Sequence, residues 1–185
     1  MIFISSGHNS QSKTIPQDPG AVNKDGIKEG DLTIEYKHLV CAELDKLGCK
    51  YITDSEEESL RMYLNRIQTG NGSVVIEFHF DYADSDKATG CTGIVQRDAD
   101  RLDQAFAKEL SQATSTTLGI PSRGVISEAL SHRRTLGLMR EQGIICLLEL
   151  GFISNPTDLA SYNQHKTIMA PIHAAIIKKY EAMIN

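Results

Sequence analysis

A buried central strand is predicted by the segment Gly143-Ile-Ile-Cys-Leu-Leu-Glu149-Leu-Gly-Phe-Ile-Ser-Asn155. Its apolar run, residues 144–148, has no polar interruption, which is typical of a strand buried on both faces of a sheet. Glu149 follows this run, and α/β proteins place their functional sites outside the carboxyl ends of such strands. A carboxylate buried there needs a charged partner or a metal ion, because burying an unpaired charge costs several kcal/mol. A solvated glutamate at a strand end is the alternative interpretation.

The rest of the chain alternates predicted strands and helices, which is typical of an α/β fold. We predict strands at residues 1–5, 50–53, 73–79, 91–96, around 125 and 144–148. We predict helices beginning at Asp31, at about 59–68, from a cap at Asp98 to about Leu118, at about 133–140, and from about Thr167 onward with Pro171 in its first turn. The expected fold is a single α/β domain with a twisted, mostly parallel (mixed) sheet of about six strands and helices on both faces.

Composition restricts the classes of partner. The net charge of −5 and the absence of a basic cluster argue against nucleic acid and against anionic membranes as the main partner. No apolar run approaches the roughly 18 residues that a membrane span needs. The four cysteines form no CxxC pair, and the sequence enters a strand at once without a signal-peptide pattern. We therefore expect reduced cysteines and synthesis in the cytoplasm.

Four polar side chains are expected at one edge of the sheet. His8 lies just past the end of the first predicted strand, and His79 and Glu149 lie at the ends of the third and the last. Glu29 lies just before the first helix. Two imidazoles and a carboxylate are typical of a catalytic zinc site, and a further carboxylate beside the metal can move the proton of a water molecule. The stronger HExxH spacing does not occur in the chain.

Other histidines and basic residues have competing interpretations. His38 could share a helix face with Glu35, although a solvated surface position is the simpler interpretation. His132 precedes two arginines and could contact an anionic substrate or lie on an ordinary surface. His165 and His173, on or beside the last helix, are interpreted as structural or exposed.

These motifs give the chain a resemblance to a known family. It resembles the zinc-dependent N-acetylmuramoyl-L-alanine amidases of the type 3 family, which act on bacterial cell walls. The matching segments occur in the family's order and span nearly the whole chain: Ile4-Ser-Ser-Gly-His8, Asp18-Pro-Gly-Ala21, Ile27-Lys-Glu29-Gly-Asp-Leu32, Ile76-Glu-Phe-His79-Phe-Asp-Tyr-Ala83 and Leu148-Glu149-Leu-Gly-Phe-Ile-Ser-Asn155.

The resemblance implies a ligand set and a reaction. His8, Glu29 and His79 would bind one Zn²⁺, with Glu35 as the alternative to Glu29, and Glu149 would be the general base and acid. The reaction would be hydrolysis of the amide between N-acetylmuramic acid and the L-alanine of peptidoglycan stem peptides. Asp18 and Asn155 are expected to support the site, and His132 stays a candidate for substrate contact on its position before two arginines alone. Glu77 and Asp81 depart from the family's usual serine and asparagine; Glu77 shares the strand side of His79 and could bond to it or crowd the metal.

The resemblance also shapes the expected biology. We expect residues 1–185 to form the catalytic domain without a separate wall-binding domain, so that the catalytic cleft itself binds peptidoglycan. A monomer that a holin-type partner releases to the cell wall is the expected arrangement. A catalytically silent peptidoglycan-binding relative and a zinc peptidase with another substrate are the alternatives.

Overall fold

One mixed sheet of six strands organises the structure, a computed structural model that describes residues 1–184. The strands lie in the order β2-β1-β3-β6-β4-β5. They are β1 (Ile2–Ser5), β2 (Tyr51–Thr53), β3 (Val74–Asp81), β4 (Cys91–Val95), β5 (Ser122–Ser127) and β6 (Ile144–Phe152). The helices are α1 (Glu29–Lys46), α2 (Leu60–Arg66), α3 (Arg101–Leu118) and α4 (Pro156–Ile184), with two 3₁₀ turns at Glu128–Leu130 and Gly137–Arg140.

The strand directions bring three carboxyl ends together. β1, β3 and β6 are adjacent and parallel, whereas β4 runs antiparallel to β6 and parallel to β5. The ends of β1, β3 and β6 therefore meet at one edge of the sheet, and this edge carries the candidate site. The predicted fold class, a mostly parallel mixed sheet with helices on both faces, is confirmed.

The two faces of the sheet are covered unequally. Side chains alternate between faces along each strand, and Val74, Ile76 and Phe78 of β3 join the large apolar cluster under α1, α3 and α4. Val75 joins a smaller cluster under α2 and the 3₁₀ turn Gly137–Arg140. Because α2 has only seven residues, it covers part of its face and leaves the carboxyl half of the strands open as a cleft.

His173 of α4 connects the helices of the larger layer. The Tyr36 hydroxyl of α1 lies 2.7 Å from its Nδ1, and the Thr114 hydroxyl of α3 lies 3.1 Å from its Nε2. Thr114 donates its own hydrogen to the Leu110 carbonyl, so Nε2 must donate and Nδ1 must accept from Tyr36. The neutral ring thus accepts a hydrogen bond from Tyr36 and donates one to Thr114, which confirms the structural interpretation of His173.

Three predicted helix starts were wrong, and the first two are those of α1 and α3. α1 begins at Glu29 rather than Asp31, and its first turn needs no side-chain cap because Glu29 and Gly30 donate their backbone N–H groups to the Ala21 and Pro19 carbonyls of the preceding loop. α3 is capped by Asp100 rather than Asp98, in a reciprocal capping box with Asp103.

α4 also begins earlier than Thr167. Asn155 accepts hydrogen bonds from the Thr157 and Asp158 N–H groups, and Pro156 occupies the first helical position. Pro171 consequently lies inside the helix rather than in its first turn.

The other differences lie near the site. Residues 133–140, predicted as a helix, form a loop and one 3₁₀ turn. β6 continues three residues beyond Glu149, so that this carboxylate lies within the strand instead of at its end. No helix in residues 1–184 is long and apolar enough to cross a membrane.

Candidate metal centre and catalytic cleft

His8, Glu29 and His79 come together at the carboxyl edge of the sheet. Each offers one ligand atom, and these three atoms lie within 4.8 Å of one another. Glu29 Oε1 is 3.2 Å from His8 Nε2 and 2.8 Å from His79 Nδ1. The two rings meet edge to face, with centroids 4.9 Å apart. This donor set is the two-imidazole, one-carboxylate set that zinc prefers at catalytic sites.

The three potential metal ligands lie on three different elements of the fold. His79 lies on β3, and Glu29 lies in the first turn of α1. The Glu29 carboxylate also accepts the N–H groups of Ala21 and Phe80. His8 lies in the loop after β1.

Two glycines allow the close approach of these groups. Gly7 and Gly20 have φ of 71° and 65°, in the left-handed region that glycine adopts most readily. A Cβ atom at Gly7 would lie 2.4 Å from His79 Nε2, and one at Gly20 would lie 2.6 Å from Glu29 Oε2. Any larger residue would displace the ligands.

Each imidazole has a second carboxylate on its outer nitrogen. His8 Nδ1 is 3.0 Å from Asp18 Oδ2, and His79 Nε2 is 3.0 Å from Glu77 Oε1. Glu77 is buried and Asp18 is exposed. These contacts leave His8 Nε2 and His79 Nδ1 directed toward Glu29.

The electrostatics of the cluster favour a cation at its centre. Burial opposes ionisation of Glu29, but hydrogen bonds from His79 and His8 outweigh it and hold the pKa of the carboxyl well below its usual range. Burial likewise disfavours protonated His79, yet hydrogen bonds to Glu29 and Glu77 hold the pKa of the ring well above its usual value. In the absence of a metal, protons on the imidazole rings supply the positive charge that the Glu29 carboxylate requires. A divalent cation would supply this positive charge in place of the protons.

Glu149 faces the same side of the sheet. It pairs in register with His79 on β3 and with Thr92 on β4. Its Oε2 atom is buried without a hydrogen-bond partner, although the residue as a whole is half-buried. Burial raises the pKa of this carboxyl to about 8; His79 opposes the shift, and Glu29 and Asp81 add to it. A metal-bound water would give this unpartnered buried oxygen a hydrogen-bond partner. The residues of the cluster therefore fit a zinc ion with a bound water.

The cleft around the cluster has a cationic rim. Its volume is about 860 Å³, and its lining includes the exposed Arg123 and Arg133, which form this rim, and His132. The Arg123 guanidinium lies 5.2 Å from the centre of the Phe152 ring. The half-exposed Tyr82 lines the same cleft.

Comparison with known proteins identifies the family. The sequence profile of the N-acetylmuramoyl-L-alanine amidase family of type 3 matches residues 2–179. The chain belongs to this family. The resemblance to this family that the sequence motifs indicated is therefore confirmed. The amidase is a hydrolase of the amide between N-acetylmuramic acid and L-alanine in peptidoglycan.

Solved structures agree with this assignment. A candidate N-acetylmuramoyl-L-alanine amidase from Neisseria meningitidis is 29% identical with a TM-score of 0.73, over 96% of this chain and 93% of that one. N-acetylmuramoyl-L-alanine amidases from Clostridium difficile (16% identity, TM-score 0.78, 100% and 97% coverage) and Nostoc punctiforme (18%, 0.77, 97% and 95%) share the fold. The comparison with curated proteins gives no match.

The amidase brings most of the predicted site residues to the cleft, which is lined by His8, Asp18, Glu29, Glu77, His79, His132 and Glu149. Glu35, the alternative ligand, instead forms an exposed ion pair with Lys166 on the outside of α1. Asn155 caps α4 and donates to the Ala88 carbonyl instead of lining the cleft. His38 pairs with Glu56 at the surface rather than sharing a contact with Glu35.

Arg123 was missed by the sequence reasoning. It lies on β5, whose predicted position around Val125 was correct, and only its arrangement beside Phe152 and the cleft distinguishes it from a surface arginine. No sequence signal marked it.

Proposed function

We propose that the amidase is zinc-dependent, with His8, Glu29 and His79 as the metal ligands and Glu149 as the general base and acid. The observation that carries this proposal is the convergence of three ligand atoms within 4.8 Å beside the unpartnered Oε2 of Glu149. When bound, Zn²⁺ would polarise the scissile carbonyl and lower the pKa of water.

Glu149 has the properties of a proton carrier. Burial raises the pKa of its carboxyl to about 8, close to neutral pH, where one group can both accept and return a proton. Its position beside His79 in the sheet directs it toward the same cleft. Glu149 would take the proton of the attacking water and give it to the departing amine of L-alanine.

The cationic rim gives the cleft a way to bind stem peptides. The cluster end carries five carboxylates and would repel the free carboxyl groups of a stem peptide (Asp18, Glu29, Glu77, Asp81 and Glu149). Arg123 and Arg133 line the same cleft, and such carboxyl groups can form charge-assisted hydrogen bonds with them. These arginines would hold the carboxyl groups of the peptide while its first amide lies at the metal.

The test measures zinc content and release of stem peptides from purified peptidoglycan. The wild-type amidase should hold about one zinc per chain after reconstitution and release peptides with free L-alanine amines. Glu149→Gln should keep the zinc and the fold and lose roughly 10²–10⁴-fold in activity. A wild-type protein that binds zinc without hydrolysis would be a silent relative, and release of other peptide ends would indicate a peptidase. An active Glu149→Gln variant would refute the role of Glu149.

A further inference from the structure

Glu77 is a buried carboxylate bonded to a proposed metal ligand. Its side chain is 2% exposed, and its Oε1 lies 3.0 Å from His79 Nε2. The other oxygen, Oε2, accepts a hydrogen bond of 2.9 Å from the Ser5 hydroxyl. Ser5 and Glu77 are register partners on β1 and β3, so two sheet strands fix the position of the carboxylate.

This contact determines which nitrogen of His79 is free. An imidazole has two ring nitrogens, and the neutral ring carries its hydrogen on one of them. If Nε2 donates that hydrogen to Glu77, the lone pair remains on Nδ1. Nδ1 is the atom directed at Glu29, 2.8 Å from Oε1.

We infer that Glu77 is a positioning residue that orients His79 with Nδ1 toward the metal and raises the affinity of the site for zinc. This inference depends on the proposed function. Outer carboxylates of this kind fix the tautomer and increase the basicity of a ligating histidine.

Burial makes the Glu77 contact stronger than its counterpart at His8. The Asp18 side chain that meets His8 Nδ1 is 60% exposed, and water competes for it. Glu77 is shielded from water, and hydrogen bonds are stronger in such surroundings. Loss of Glu77 should therefore weaken metal binding more than loss of Asp18.

The experiment measures zinc affinity by chelator competition at pH 7.5 in folded protein, together with the visible spectrum of the Co²⁺ form. Glu77→Ser, which removes the carboxylate that accepts from His79 Nε2, should weaken zinc binding about 10–100-fold and shift the Co²⁺ bands. Glu77→Gln should lose less, because its amide oxygen still accepts from Nε2. Asp18→Ser, the matched change at His8, should lose less than Glu77→Ser.

A matched control separates positioning from general stability. Asp158 is equally buried and accepts hydrogen bonds from Thr89, Gly90 and Phe152, but it contacts no proposed ligand. Asp158→Asn should lower the melting temperature and leave the zinc affinity of the folded protein unchanged. Equal losses of affinity in Asp158→Asn and Glu77→Ser would overturn the inference.

The remaining outcomes are distinct from failure of the proposed function. Unchanged or tighter zinc binding in Glu77→Ser, with an active wild-type enzyme, would overturn the role of Glu77 alone. A wild-type chain that neither binds zinc nor releases stem peptides would overturn both.

Discussion

Replacing His173 with glutamine should change how the stability of the amidase depends on pH. The imidazole is fully buried and accepts a hydrogen bond from Tyr36 while donating one to Thr114. Burial lowers the pKa of this ring to about 3 from its ordinary value of 6.5. The folded protein therefore keeps His173 neutral at pH values at which the unfolded chain protonates it.

The sign and size of the effect follow from these two pKa values. Because the folded state has the lower pKa, the stability that this group contributes is fully present above about pH 6.5 and is lost as the pH falls toward 3. Each pH unit in this window costs about 1.4 kcal/mol. At pH 5 the wild-type protein should thus have lost about 2 kcal/mol through His173 alone.

Urea unfolding at pH 7.5 and pH 5.0, with a chelator present to exclude metal linkage, measures this loss. At pH 7.5, His173→Gln should be less stable than wild type by about 1–3 kcal/mol, because buried hydrogen bonds are disturbed. At pH 5.0 the difference should shrink by about 2 kcal/mol, since the variant carries no group that titrates there. A stability difference between wild type and His173→Gln that is the same at both pH values would refute the reasoning.

Three further substitutions test other parts of the molecule. His79→Ala should release zinc while His38→Ala retains it, as measured by metal analysis after gel filtration; full retention in His79→Ala would remove this residue from the ligand set. Arg123→Gln should raise the KM for soluble stem-peptide substrates about tenfold with little change in kcat, since a charge-assisted hydrogen bond contributes about 1.5–3 kcal/mol. Arg61→Gln, which alters an arginine outside the cleft, is the control. An unchanged KM in Arg123→Gln would contradict the proposed rim. Lys37→Met should lower the free energy of unfolding by about 3–5 kcal/mol in urea titrations, because it leaves the buried Asp54 carboxylate without its counter-ion; a loss below 1 kcal/mol would show that the pair is solvated.

The edge of the sheet was predictable because it depends on local patterns. The apolar runs of β3 and β6 indicate buried strands, and such strands are adjacent and parallel in α/β folds. His79 and Glu149 follow these runs directly, so their convergence requires only the order of the strands. The predicted end of β6 was too early, because the prediction ended the strand at the polar Glu149 although the apolar Leu150 and Phe152 follow it.

The helix boundaries depended on contacts between distant segments. Asp31 is a good capping residue, yet the loop carbonyls of Pro19 and Ala21 satisfy the first turn of α1 two residues earlier. Pro171 suggested a helix start, but α4 packs against α1 and α3. Tertiary burial of this kind outweighs the cost of one missing hydrogen bond, of the order of 3 kcal/mol for an interior proline.

The support of the three proposed ligands explains why a buried ion pair occurs beside the site. β3 holds His79 and the first turn of α1 holds Glu29, but His8 lies in a loop without a ladder of hydrogen bonds. Asp54 substitutes for that ladder, because its Oδ2 accepts both the N–H and the hydroxyl of Ser6, two residues before His8. Lys37 in turn fixes Asp54, because its Nζ donates to the Asp54 backbone carbonyl and to Asp54 Oδ1, each 3.0 Å from Nζ. A buried ion pair often contributes no more stability than an apolar pair of the same volume, so the Lys37–Asp54 pair is better explained by the position of the His8 loop than by the stability of the fold.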